Sequence, residues 1–404
     1  MAMEYEQIRS MLRGERLPAA FVDLDALDRN LDRHLAILRD RGTPLRVASK
    51  SVRVVAVLQR LLKRGGEQLR GLLTYSVEES EFLASQGFDD FLVAYPPYQA
   101  SDLARAARLT AEGKRICLTA DSFEGAENAS LIAASFGVKL KLALCVDMSY
   151  EALGGRVHLG VRRSPLHSKE QVIELAQRVS ALPGTEFHGL LAYEAQIAGL
   201  QDANPFDPRM NGLKAAVKAL SIREVQHRRS DMVEHLRKNG LAPQLVNGGG
   251  TGSLDTTTPQ TGVTEVTAGS GFFKPHLFDY YRAPHMHDLE PAAFFALEIT
   301  RRPTPHMVTC LGGGYVASGP PGYDKVPLPW WPKGAKLTSD EACGEVQTPL
   351  TLAEGTQVNL GDPVIFRHAK GGEWAERFKE VLLVQDGKIV DRMPTYRGQG
   401  QCFF

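Results

Sequence analysis

The stretch "LRVASKSVR", residues 45–53, ends a short apolar run on Lys50. A lysine amine attacks carbonyl carbon when it is neutral, and burial favours the neutral form. A second stretch, "NGGGTGS" at 247–253, has the makings of an anion cradle. Its glycines let backbone N–H groups approach a ligand, and Thr251 and Ser253 add hydroxyl donors. N–H groups at a helix start attract negative charge. Taken singly, a strand-end lysine is a solvated cation and a glycine cluster is a tight turn. Taken together, they describe a lysine beside a phosphate site.

The elements around them decide whether the two can meet. Short apolar strands are expected at "AAFVDLD", "LRVASK", "GLLTYS", "DDFLVAY", "RICLTAD", "KLALCVD", "FHGLLAYE" and "PQLVNGGG". Amphipathic helices such as "SVRVVAVLQRLLKRG" and "SKEQVIELAQRVSAL" lie between most of them. Alternating strands and helices imply a parallel sheet, and eight units over 20–280 predict a (β/α)8 TIM-type barrel. An open doubly wound sheet is the other arrangement of the same pattern. In a barrel, chemistry sits at the carboxyl ends of the strands. Those ends carry Asp23, Asp25, Lys50, Tyr75, Tyr95, Asp121, Asp147, Tyr193, Glu194 and Asn247. Lys50 on the expected second strand and the glycine loop on the expected eighth would be neighbours across the first. "GGGTGS" does not fit the dinucleotide pattern GxGxxG. The cofactor that combines a phosphate with a lysine-reactive carbonyl is pyridoxal 5′-phosphate. A phosphorylated sugar on an aldolase-type lysine fits the same residues.

After residue 280 the texture changes to proline, glycine and β-branched residues. Residues 285–404 are expected to form an all-β domain, with 1–19 packing against it. The formal net charge is +0, so no basic field points to nucleic acid or an anionic membrane. No apolar run approaches the length of a bilayer span, and "MAMEYEQIRSMLRGERLPAA" lacks a signal core. The five cysteines are scattered without CxxC spacing, which suits reduced thiols and a cytoplasmic location.

"FVDLDALDRN…LRVASKSVR", "GLLAYEAQ", "VNGGGTGS", "EVTAGSGFF" and "GDPVIFRHAK" resemble the fold-type III pyridoxal-phosphate enzymes. Within them the chain is most similar to the D-threonine aldolase and D-serine dehydratase branch, in the alanine racemase N-terminal domain superfamily. The resemblance implies that Lys50 forms the internal aldimine and that Tyr193 lies near the cofactor ring. It implies that Gly249, Gly250 and Thr251 hold the phosphate, with Gly269 and Ser270 in a second phosphate turn. Asn247 at the strand end joins this set. His158 sits where relatives place an arginine near the cofactor. The implied activity is a lyase on a small D-3-hydroxy amino acid, by retro-aldol cleavage or dehydrative deamination. A homodimer is implied as well.

The sequence departs from the family at the metal. Relatives use a C-terminal His-x-Cys or His-x-Asp pair, but here His368 is followed by Lys370. A glycine–histidine pair expected after the tyrosine is replaced by Ala195 and Gln196. Lys370 is read as a fixed cation in place of a divalent metal. His285 and His287 read as a surface loop, and Arg162 and Arg163 as exposed arginines before substrate ligands. Two other functions use the same residues. A racemase needs a second base, for which Tyr315 and Tyr323 are candidates by location. A cofactor carrier needs only the bare barrel, and the extra β domain speaks against it.

Overall fold

The computed structural model describes residues 3–152, 157–314 and 316–403. The first strand, β1 (Ala19–Asp23), does not enter the barrel. The barrel closes over β2 (Leu45–Ala48), β3 (Leu69–Thr74), β4 (Phe91–Val93), β5 (Ile116–Ala120) and β6 (Leu140–Cys145). A two-stranded ribbon, β7 (Tyr150–Ala152) and β8 (Val157–Leu159), leaves the mouth after β6. The barrel then continues through β9 (Thr185–Leu191), β10 (Leu245–Gly248) and β11 (Glu265–Ala268), which pairs parallel with β2. Eight parallel strands thus close on themselves, as the alternating pattern predicts. The expected first strand is displaced by "EVTA", which serves as the eighth.

The reason is pairing at long range. β1 lies antiparallel to β12 (Ala293–Thr304) and parallel to β18 (Glu380–Gln385). Phe21 stacks on Phe294 with ring centroids 5.2 Å apart. A strand buried on both faces and followed by a helix looks locally like a barrel strand. The second sheet runs through β13 (Met307–Leu311), β14 (Leu328–Trp331), β15 (Lys336–Leu337), β16 (Gln347–Thr351) and β17 (Pro363–Arg367), and ends with β18 and β19 (Lys388–Pro394). The helix Tyr5–Met11 places Ile8 on this sheet, in a cluster with Phe21, Phe294, Ile365 and Leu382.

Helices around the barrel start where the sequence supplies caps. Ser76, Ser122 and Ser168 each accept a backbone N–H from the third residue onward, satisfying a donor that the helix leaves open. The longest helix, Asn211–Lys238, precedes β10. Inside the barrel, Arg46 is buried between Glu265 (2.7 Å) and Asp90 (2.7 Å). No helix among the described residues is long and apolar enough to cross a membrane.

Candidate active site

A single 3-10 turn, Ser49–Ser51, carries Lys50 off the end of β2. Ser49 Oγ donates to the Leu73 carbonyl at 3.1 Å, and the Val52 N–H closes the turn on Ser49 at 2.8 Å. Behind it lies a helix of the second sheet's domain, Gly371–Ala375. A side chain on Gly372 would collide with the Lys50 carbonyl oxygen, so glycine is what permits this contact. The Lys50 side chain is exposed into a cavity of about 360 Å³ rather than sealed by protein. The expectation of a buried amine is therefore not met in the chain alone.

The opposite wall is glycine. Gly249, Gly250 and Thr251 after β10, and Gly269 and Ser270 after β11, line the same cavity. Gly249 has φ +82°, a conformation that L side chains resist. A Cβ on Gly250 would lie 2.8 Å from Ala198 Cβ and 3.1 Å from the Tyr193 ring. One on Gly269 would lie 2.9 Å from Ala48 Cβ and from Ser51. The two turns are tied by the Gly271 N–H donating to Thr251 Oγ1 at 3.0 Å. Such a cradle admits a phosphate close to backbone and would be filled by any side chain.

A buried carboxylate holds the first turn. Glu194 accepts from the Gly249 N–H (3.2 Å), Ser253 Oγ (2.7 Å) and Thr257 Oγ1 (2.5 Å). Arg229 pairs with it at 2.6 Å, and both side chains are sealed from solvent. The sequence shows Glu194 only as one polar strand end, without this supporting role. Asn247 also faces inward, donating to Glu265 (2.7 Å) and Thr267 (2.9 Å). Its amide is committed to the barrel interior while its edge borders the cavity.

Tyr193 lines the cavity, its hydroxyl pushed up to about 12 by burial and by the neighbouring Glu194 charge. Arg163 lines it too, 5.8 Å over the Tyr193 ring. Arg163 is exposed, as its sequence context suggests, but the segment after β8 places it over the cavity mouth. Tyr95, Asp121, Cys145 and Asp147 complete the ionisable lining. Tyr95 accepts from Lys50 Nζ at 3.5 Å. Burial raises its phenol, but Lys50 and Arg163 together outweigh this and leave it below its ordinary value.

Other expectations fall elsewhere. His158 does not line the cavity, because its ring is held by Ser149 and Glu151 on one side and the Val161 carbonyl on the other. Asp23 ends β1 in the second sheet, and Asp25 lies in the first turn of the helix Leu24–Leu38 that follows. Tyr323 is off the cavity and donates to the Leu337 carbonyl at 3.3 Å. Tyr315 lies outside the described residues. His285 is not loose surface. It contacts the Thr251 carbonyl at 3.0 Å and Asp255 at 3.4 Å, bracing the glycine loop from behind.

The metal donors do not assemble. His368 Nδ1 lies 2.9 Å from the Lys370 carbonyl oxygen and 3.1 Å from its N–H nitrogen, and Nε2 is buried without a hydrogen-bond partner. Burial holds this ring near pKa 4. Lys370 Nζ is tied to the Ser318 carbonyl (2.7 Å) and hydroxyl (2.6 Å). Among the described residues no three His, Cys, Asp or Glu side chains gather as a metal set. A histidine with one ammonium neighbour does not suit a divalent ion.

Residues 22–275 match the model of the alanine racemase N-terminal domain. The chain belongs to the alanine racemase N-terminal domain family. A curated relative, the 3-hydroxy-D-aspartate aldolase of Paracoccus denitrificans (strain Pd 1222), is 28% identical over 273 residues. That match takes in 68% of this chain and 63% of the relative's length. Among solved structures, a D-threonine aldolase from Filomicrobium marinum superposes with a TM-score of 0.78 at 20% identity, covering 96% of both chains. The D-threo-3-hydroxyaspartate dehydratase of Delftia sp. HT23 gives 0.74 at 18% identity, over 95% of this chain and 98% of its own. Barrel and second sheet together are thus the architecture of fold-type III pyridoxal-phosphate enzymes.

Proposed function

We propose that this chain is a pyridoxal-phosphate-dependent lyase acting on a small D-3-hydroxy amino acid. The observation that carries the reading is one cavity with Lys50 on one wall and two glycine turns on another. The aldolase and dehydratase relatives support the reaction class, since both act on hydroxylated amino acids by name. The cofactor, when bound, withdraws electrons from the substrate Cα.

The chain's own residues supply the rest. Gly249, Gly250, Thr251, Gly269 and Ser270 receive the phosphate, and Glu194 with Arg229 fixes the first of these turns. Lys50 provides the amine that captures the cofactor carbonyl, and afterwards it holds or returns a proton at Cα. Tyr193 flanks the ring. Arg163 offers a guanidinium to the substrate carboxylate, a partner of matched charge and geometry. Walls of Leu73, Ala94 and Leu191 exclude water and strengthen each of these contacts.

The test is an absorption spectrum of the purified protein with pyridoxal phosphate, followed by borohydride reduction and peptide mapping. Wild type should carry the reduced cofactor on Lys50, and Lys50→Ala should not. A panel of D-3-hydroxy amino acids should then release aldehyde or ammonia. Covalent capture that survives Lys50→Ala would defeat the proposal.

A further inference from the structure

Retro-aldol cleavage of a 3-hydroxy amino acid needs a group that takes the proton of the substrate hydroxyl. The residues around His368 do not suit a divalent ion, which leaves the side chains lining the cavity. Of the groups lining the cavity, Asp147 accepts the Ser149 N–H at 2.7 Å. Burial pushes the Cys145 thiol up to about 12, with Asp121 adding to the effect. Tyr193 is likewise raised to about 12. Asp121 follows β5, one strand further round the barrel from Lys50 than Tyr95, which follows β4.

Tyr95 differs in position. Its oxygen lies 3.5 Å from Lys50 Nζ, at the exposed mouth of the cavity. In a 3-hydroxy amino acid the hydroxyl oxygen is three bonds from the amino nitrogen. When the substrate's amino nitrogen takes the place of the lysine nitrogen, its hydroxyl comes within reach of that phenol. We propose that Tyr95 is the catalytic base for the substrate's 3-hydroxyl, a proposal that rests on the lyase reading above.

The step balances without an oxidant or a metal. The Tyr95 phenolate takes the hydroxyl proton, and the oxygen's electron pair becomes the new C=O bond of the aldehyde. The Cα–Cβ bond breaks, its pair stays on Cα, and the Lys50 ammonium returns a proton there. Tyr95 then gives its proton to solvent. The charged and titratable groups facing it are Lys50 from the β2 turn, Arg163 from the segment after β8, Cys145 from β6 and Tyr193 from the end of β9. Two cations on it favour the phenolate, which the geometry needs.

The experiment combines titration with kinetics. Protein labelled with 13Cζ-tyrosine is followed by NMR from pH 7 to 11, with and without pyridoxal phosphate, and Tyr95→Phe assigns the resonance. Tyr95 should titrate below an ordinary phenol in the cofactor-free protein. Tyr95→Phe should lower kcat for D-3-hydroxy substrates by about 10²-fold or more. It should keep the cofactor on Lys50 and keep exchange of the glycine Cα proton. A normal or raised titration overturns the assignment. So does wild-type cleavage by Tyr95→Phe, or activity lost to a chelator and restored by manganese; both leave the lyase reading standing. A wild-type protein that binds the cofactor but acts on no 3-hydroxy acid removes the lyase reading itself, and the base with it.

Discussion

Replacing Arg229 with Met should damage the protein more than replacing Arg229 and Glu194 together would suggest. The Arg229–Glu194 contact is 2.6 Å, and both side chains are sealed from water. Taking away the arginine leaves a buried carboxylate without its cation, a change that costs about 3–5 kcal/mol in such settings. Three donors remain on Glu194, from Gly249, Ser253 and Thr257, which favours the lower end, about 3 kcal/mol. Glu194→Gln keeps the shape but weakens those bonds, each worth roughly 1.5–3 kcal/mol when charge-assisted. In the double variant no charge is stranded, so the two losses should fall short of adding by about 2 kcal/mol. Because the Gly249 N–H is one of the three donors, either single change should also loosen the phosphate turn. A loss of 1.4–2.8 kcal/mol there corresponds to roughly 10–100-fold weaker cofactor binding. Urea midpoints for the four proteins give the cycle, and a pyridoxal-phosphate absorbance titration gives the affinity. Losses that add within about 0.5 kcal/mol, with unchanged cofactor affinity, would refute the idea that this pair organises the loop.

Gly372→Ala should push the helix Gly371–Ala375 off the lysine turn, because a Cβ there collides with the Lys50 carbonyl. Overpacking of this kind costs about 1–3 kcal/mol, and both the melting point and the rate of cofactor capture should fall. His34 and His276 are held neutral by burial, at about 4 and about 3 against an ordinary 6.5. The unfolded chain therefore binds more protons below pH 6.5, and their contribution is complete above that pH and lost as pH falls toward 4 and 3. At pH 5 the loss is about 2 kcal/mol for each histidine. Glu79, raised to about 7 by burial, acts in the opposite sense between 4.5 and 7. Thermal melts of Glu79→Gln should accordingly show a steeper acid decline than wild type; a flat profile would contradict this balance. Dialysis of the loaded protein against a chelator should leave D-3-hydroxy amino acid turnover unchanged, and metal analysis should find no stoichiometric divalent ion.

The lysine and the glycine loop were legible because their meaning is local. A strand ending on lysine and a run of glycines between strand and helix carry their chemistry at short range. Lys50, Tyr193 and both glycine turns meet in one cavity as the motifs imply. The fate of β1 was not legible, because its partners β12 and β18 are remote in sequence and its burial on both faces mimics a barrel strand. The place of Arg163 at the cavity mouth has no local signal, for a related reason. Whether an arginine after a ribbon faces water or a cavity depends on how the ribbon folds back. The grip of Glu194 on the glycine loop depends on the same kind of closure, since Tyr193 and Gly249 approach only when β9 and β10 pair.

The position of β1 also bears on how the chain reaches its native state. This strand is finished early on the ribosome, yet both edges it joins belong to segments made much later. Until they arrive, Phe21 and Val22, fully buried in the end, have no shelter, and contacts so remote in sequence form slowly. A fragment cut near residue 285 would therefore be a poor stand-alone barrel, sticky at its amino end. One beginning just before Leu45 would discard the orphaned strand and the helix that follows it.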